Sequence, residues 1–117
     1  MFVGSVGSVS SDVNIGDLII ISTSVSGGAF SSYMYGTINK ESLHKEYHPT
    51  KELYEATTNY LKNENINHKD IKVYSVDTIV GQFAHIDEIV DLGCKAIEME
   101  SSALFSACQL QKKNVSR

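Results

Sequence analysis

The chain has 117 residues, 42% hydrophobic and 21% charged, with a formal net charge of -4 and a pI near 5.5. That composition suits one globular core, whole or in part, and the scattered lysines and arginines offer no basic stripe for a nucleic-acid backbone or an anionic lipid surface. The longest aliphatic run, Leu18 to Ile21, is far short of a membrane span and no basic-then-apolar leader opens the chain, so one cytoplasmic unit over residues 1–117 is expected.

In chain order, Phe2-Val3 leads into the glycine-bearing GSVGS at 4–8, a polar stretch, and then DLIIISTSV, whose β-branched residues predict a buried strand. Strand, turn and strand is the simplest reading, with the two strands free to pair antiparallel. Residues 26–48, rich in Gly, Ser, Tyr and His without a sustained period, read as a long loop. From Pro49, PTKELYEATTNYLKNENI sets Leu53, Ala56, Tyr60 and Leu61 on one face at helical spacing. IKVYSVDT at 71–78 alternates as a strand does. A second helix over Ala84 to Leu92 carries Ile86, Ile89 and Val90 and stops at Gly93, a natural left-handed cap. CKAIEM reads as a short strand, and ESSALFSACQLQKK as a last helix through Ala103, Ala107 and Leu110, with Lys112 and Lys113 complementing its dipole. Helix and strand alternate after Pro49, which argues for an α/β layer with a largely parallel sheet.

Two stretches carry possible chemistry. In a strand Glu98 and Glu100 share a face, and Glu100 also opens the following helix, at the end of the sheet where α/β folds bind ligands. A carboxylate there offers acceptor oxygens to the neighbouring hydroxyls of a sugar. Spacing serves a plainer alternative equally, in which Glu100 only steadies the helix start and Glu98 is solvated. VGSVGS permits close backbone approach at Gly4 and Gly7, and its amides with Ser5 and Ser8 can cradle phosphate. The same residues also make an ordinary turn, and neither a dinucleotide fingerprint nor a P-loop is present.

Elsewhere the sequence is less directive. His44 and His48 stand at a metal-compatible spacing, but Pro49 follows and no third ligand is nearby, so no metal is expected. His85 reads as a surface histidine that could face a pocket, and Asp77 as a cap or a partner of loop amides. Cys94 and Cys108 have neither zinc spacing nor disulfide density and read as reduced structural thiols. Tyr33, Tyr35 and Tyr47 suit subunit packing or ordinary surface and core.

Taken together, VGSVGSVSSDVNIGDLIIISTSV near the start and LGCKAIEMESSALFSA near the end resemble the nucleoside phosphorylase superfamily, which includes purine nucleoside and uridine phosphorylases and related nucleosidases. The resemblance implies an α/β fold, a three-layer phosphorylase-like mixed sheet flanked by helices. It assigns phosphate binding to Gly4 and Ser5, ribose binding to Met99 and Glu100, and the base side of the pocket to Ile97, Glu98 and Ile79. It names no catalytic residue in this chain. The implied activity is pentosyl transfer: phosphorolysis of the N-glycosidic bond of a purine or pyrimidine nucleoside to free base and ribose 1-phosphate, as in purine salvage. Inorganic phosphate is the co-substrate, no cofactor or metal is needed, and the partners are nucleoside, phosphate and, in a homo-oligomer, further copies.

Three departures qualify the expectation. Phe2 stands where the phosphorylases usually carry an arginine, and Ile79 where an aromatic commonly stacks on the base, with Phe83 a nearby substitute. The family's own N-terminal phosphate loop and its later strand with a purine-protonating residue have no counterpart in 1–117, so a truncated domain is expected. Hydrolysis of the same bond by a nucleosidase, and a non-catalytic nucleoside-binding fragment, are the alternatives.

Overall fold

A computed structural model describes residues 1–34 and 43–115, leaving aside the side chains at 31, 32 and 113–115. The expectations for Tyr35 and the Lys113 side chain lie outside the described residues. The strands are β1 (Gly7–Ser8), β2 (Ile19–Ser26), β3 (Glu46–Tyr47), β4 (Lys69–Ser75) and β5 (Ala96–Glu98). The helices are α1 (Phe30–Met34), α2 (Lys51–Asn63), α3 (Ile86–Asp91), entered through a 3-10 turn at Gly81–His85, and α4 (Ser101–Val115). The strands form one five-stranded mixed sheet in the order β1-β5-β4-β2-β3. The inner three run parallel, and both short edge strands run antiparallel to their neighbours.

The parallel centre follows from the sequence. β2 and β4 are β-branched, and a helix-bearing crossover separates each consecutive pair of inner strands, as parallel pairing requires. On one face Val25, Tyr74, Val76, Ile89, Cys94 and Ile97 form a buried cluster. On the other Val13, Ile71, Val73 and Ala96 form a second. Full burial of one such side chain, Ile89 for example, contributes about 1.5–3 kcal/mol. Gly93 takes φ +79°, the left-handed cap expected after α3.

The opening segment departs from the expected hairpin. Phe2-Val3 lies outside the sheet, and β1, drawn from the glycine stretch itself, pairs with β5 and not with β2. The intervening residues form a compact loop: the Ser8 hydroxyl donates to the Val13 carbonyl at 2.8 Å and the Asn14 N–H to the Asp17 carboxylate at 2.7 Å. Lys95 pairs with Asp12 and Lys69 with Asp17, and each lysine holds its aspartate below the usual carboxylate range. Val13 is thereby pressed onto Ile71, Val73 and Ala96. The loop thus carries the chain across β5 and β4 to reach β2.

Residues 26–48, read as loop, contain α1 and β3, and Tyr47 of β3 is a buried core residue. The final strand and helix fall close to their expected places, while Val76, Asp77 and Thr78 lie beyond the end of β4. Of the helix expected over Ala84 to Leu92, Ala84 and His85 belong to the 3-10 turn and Ile86–Asp91 are α-helical, with Val90 of its stripe exposed.

In α2 the apolar face is only partly the one that the spacing suggests. Leu61 is buried as expected, but Leu53 is 54% and Tyr60 60% exposed, Ala56 is exposed too, and Thr58 is buried in their place. Thr58 tolerates burial because its hydroxyl donates back to the Tyr54 carbonyl at 3.0 Å, satisfying itself within the helix. Leu61→Ala should therefore cost about 2–5 kcal/mol in urea unfolding, and Leu53→Ala less than about 0.5. Equal losses would return the buried face to Leu53. The thiols separate in a second test. Burial pushes Cys94 up to about 11, so it stays protonated and shielded at pH 8, while Cys108 is exposed. Iodoacetamide should label Cys108 in the native protein and reach Cys94 only after denaturation, as read by mass spectrometry.

Candidate functional site

The strand-to-helix junction at residues 98–101 is built around one buried carboxylate. Glu98 is 7% exposed. Its Oε2 accepts the N–H groups of Glu100 at 2.9 Å and Ser101 at 2.6 Å, and its Oε1 lies 2.6 Å from the Ser101 hydroxyl. An anion held by backbone N–H groups at a helix start meets both the unpaired donors and the positive end of the dipole. Glu100 occupies the cap position, its carbonyl accepting the Leu104 N–H at 3.0 Å. The plainer reading of the acidic pair thus holds in part, with the residues exchanged: Glu98 steadies the helix, and Glu100 is the exposed one.

Between the anchored residues 98 and 101 stand Met99, 41% exposed, and Glu100. The Glu100 Oε2 takes a long 3.3 Å contact from the Met99 N–H, which leaves its carboxylate available to a ligand. The glycine stretch is brought to the same place by strand pairing. β1 matches Gly7 to Ile97 and Ser8 to Ala96. Because β1 runs antiparallel to β5, residues 4 and 5, which precede it, leave the ladder toward the end of β5 that leads into α4. Gly4 and Ser5 are exposed, and a Cβ on Gly4 would sit 3.3 Å from the Phe2 ring. Phe2 therefore lays an apolar ring beside the glycine where the resemblance implies a guanidinium.

The base-side residues are differently placed. Ile97 is buried in the cluster with Val25, Tyr74 and Ile89, and the Glu98 carboxylate is occupied by the helix. At both positions the side chain is engaged within the fold. Ile79 is exposed on the loop leaving β4. That loop begins beside the junction, since the Val76 N–H donates to the Glu98 carbonyl at 2.8 Å.

A cavity of about 360 Å³ lies on the α3 side of the β4 exit, with Tyr74, Asp77, Gln82, His85 and Glu88 in its wall. None of Gly4, Ser5, Ile79, Met99 and Glu100 lines it. We take the junction, and not this cavity, as the candidate site, because the exposed Glu100 carboxylate stands there and β1 runs along β5 from the glycine stretch.

The remaining polar residues are held locally. The Asp77 carboxylate accepts the Ala29 N–H at 3.2 Å, the partner of loop amides that its position suggests. His85 Nδ1 lies 3.2 Å from Glu88 on the surface. His44 sits edge-on to Tyr74, whereas His48 Nδ1 lies 3.3 Å from Thr23 Oγ1, so the two histidines face different partners. Among the described residues, no group of three or more His, Cys, Asp or Glu could hold a metal ion, and no helix is long and apolar enough to cross a membrane. The sequence reading missed Ser24 and Ser101. Their signal was present in the serines that recur at alternate positions of STSVS and open the helix in ESSA.

An open α/β sheet whose strand ends carry an anion-compatible glycine turn beside an exposed carboxylate defines a class of small-molecule-binding fold. Within it, residues 1–116 match the family model of the phosphorylase superfamily, and the chain belongs to that superfamily. Solved structures agree in fold. A Campylobacter jejuni 5′-methylthioadenosine/S-adenosyl homocysteine nucleosidase superposes with a TM-score of 0.72 at 17% identity, over 92% of this chain and 48% of that one. The P. knowlesi homologue of P. falciparum PNP gives 0.76 at 18%, over 92% and 44%. The Helicobacter pylori 5′-methylthioadenosine/S-adenosylhomocysteine nucleosidase gives 0.70 at 22%, over 91% and 47%. At these identities the likeness is one of fold, and the chain spans about half the length of the structures it matches. Among curated proteins, none matches the sequence.

The two glutamates should separate in stability measurements. Glu98→Ala strands buried N–H donors and should cost about 1–3 kcal/mol in urea unfolding, whereas Glu100→Ala should stay within about 0.5. A loss at Glu100 as large as that at Glu98 would contradict the division of labour.

Proposed function

We propose that the chain binds a nucleoside at the 98–101 junction and belongs to an activity that cleaves the N-glycosidic bond. The observation that supports this most is the β1–β5 register, which brings the glycine turn and the exposed Glu100 carboxylate to one strand end. On this reading Glu100 accepts hydrogen bonds from the ribose hydroxyls and Met99 packs against the sugar. The backbone at Ile97 and Glu98, with the side chain of Ile79, borders the base. Gly4 and Ser5 present amide and hydroxyl donors to the group that attacks the sugar. As the base leaves, the ribose gains oxocarbenium character, and a carboxylate held at its hydroxyls stabilises that charge.

Phosphorolysis, with inorganic phosphate held at Gly4 and Ser5 and ribose 1-phosphate as product, is the first reading. Hydrolysis by water is the second, and the Phe2 ring beside Gly4 favours it, because no guanidinium stands there to meet a phosphate dianion. A cytoplasmic, homo-oligomeric setting without a cofactor belongs to either reading.

Calorimetry should detect binding of a purine or pyrimidine nucleoside. Glu100→Ala should weaken it by about 10- to 100-fold, the loss expected for hydrogen bonds to a charged group. Free-base release measured with and without phosphate distinguishes the two reactions, and binding without release identifies a non-catalytic fragment. Unchanged affinity in Glu100→Ala removes that residue from the site.

A further inference from the structure

We propose that Ser24, Ser101 and Glu98 form a buried relay that positions Glu100 and thereby sets the preference for a ribose over a 2′-deoxyribose; the selectivity claim rests on the nucleoside reading above. All three residues are buried; Glu98 and Ser101 are close neighbours at the β5–α4 turn, and Ser24 reaches them from β2, distant in sequence.

The hydrogen bonds have a direction. Ser101 Oγ lies 2.6 Å from Glu98 Oε1 and 2.7 Å from Ser24 Oγ. A carboxylate oxygen can only accept, so the single Ser101 hydroxyl proton goes to Glu98, and Ser24 must donate its own to Ser101. Charge-assisted bonds of this length are the stronger kind. Glu98 in turn accepts the Glu100 N–H at 2.9 Å. The relay therefore runs from the floor of the sheet to the backbone of the one exposed glutamate at the junction. Both Glu98 oxygens are engaged, which makes it a positioning residue, not a ligand.

The consequence for a sugar is geometric. A carboxylate whose backbone is fixed can accept from two neighbouring hydroxyls at once, whereas a wandering one gains little from the second. Preference for the diol thus measures how firmly Glu100 is held. A side chain lost from the relay should erode that preference while leaving the remaining contacts with the deoxy ligand in place. Mere loss of folded protein would weaken both ligands alike.

The experiment uses the full chain, Ser24→Ala as the mild variant and Glu98→Gln as the stronger one. In the free proteins, the Met99 and Glu100 amide signals in 15N-correlated NMR should move in Ser24→Ala while those of the distant α2 stay in place. Unmoved Glu100 signals overturn the relay whether or not any nucleoside binds. In calorimetry the wild type should bind adenosine about tenfold or more tightly than 2′-deoxyadenosine. Both variants should reduce that ratio to about threefold or less, with 2′-deoxyadenosine affinity within about twofold of wild type. A wild type that binds neither ligand defeats the nucleoside reading and the selectivity claim with it. A wild type that prefers adenosine, with variants that keep its ratio, defeats the relay alone.

Discussion

One carboxylate organises the turn from β5 into α4. Glu98 closes β5 and begins the turn into α4 by accepting the N–H groups of Glu100 and Ser101. A buried anion is costly unless its lone pairs are satisfied, and a helix start is costly unless its N–H groups are. Each deficit here cancels the other. The result is a short, rigid corner on which Met99 and Glu100 have no choice but to face outward. Without that corner the exposure of Glu100 would not be defined.

The packing around the corner is unusually hydroxylic for the inside of an α/β layer. Ser24, Ser26, Ser75, Ser101, Ser102 and Ser106 are all buried. Small side chains let a helix approach a sheet closely, at the loss of the apolar area that leucine or isoleucine would bury. Here the hydroxyls find partners: Ser24 with Ser101, Ser106 with the Ala103 carbonyl at 3.0 Å, and Ser26 with the Gly28 carbonyl at 3.2 Å. Most of the apolar burial is left to the opposite face, where Val25, Tyr74, Val76, Ile89 and Ile97 gather. The division makes physical sense if the serine face is retained for geometry and the other for stability.

The central architecture was legible from the sequence, because β-branched runs, a helical period and the Gly93 cap each act locally. The two motifs also fall on paired strands, β1 and β5. What could not be read locally depends on pairing at a distance. Gly7–Ser8 of GSVGS become an edge strand on the side of β5 away from β4, and that follows only once β5 is placed. The α2 face was only partly read because threonine counts as polar in a periodicity argument, whereas Thr58 returns its hydroxyl to its own helix and is buried. The roles of Glu98 and Glu100 could not be told apart by spacing. Period two puts both on one face and says nothing of which carboxylate meets the helix amides.

The same pair of glutamates bears on the charge balance of the site. Two carboxylates two residues apart give the junction a negative field, softened at Glu98 by its hydrogen bonds and left open at Glu100. Such a field favours a sugar that becomes cationic as its base departs. It opposes a phosphate dianion approaching from the glycine side, unless cationic groups or several N–H donors compensate. In this chain Gly4 and Ser5 supply donors, but Phe2 adds an apolar ring beside them. On the nucleoside reading proposed above, the exposed carboxylate suits the developing positive charge, the Phe2 ring weighs against an incoming anion, and phosphorolysis would rest on the Gly4 and Ser5 donors.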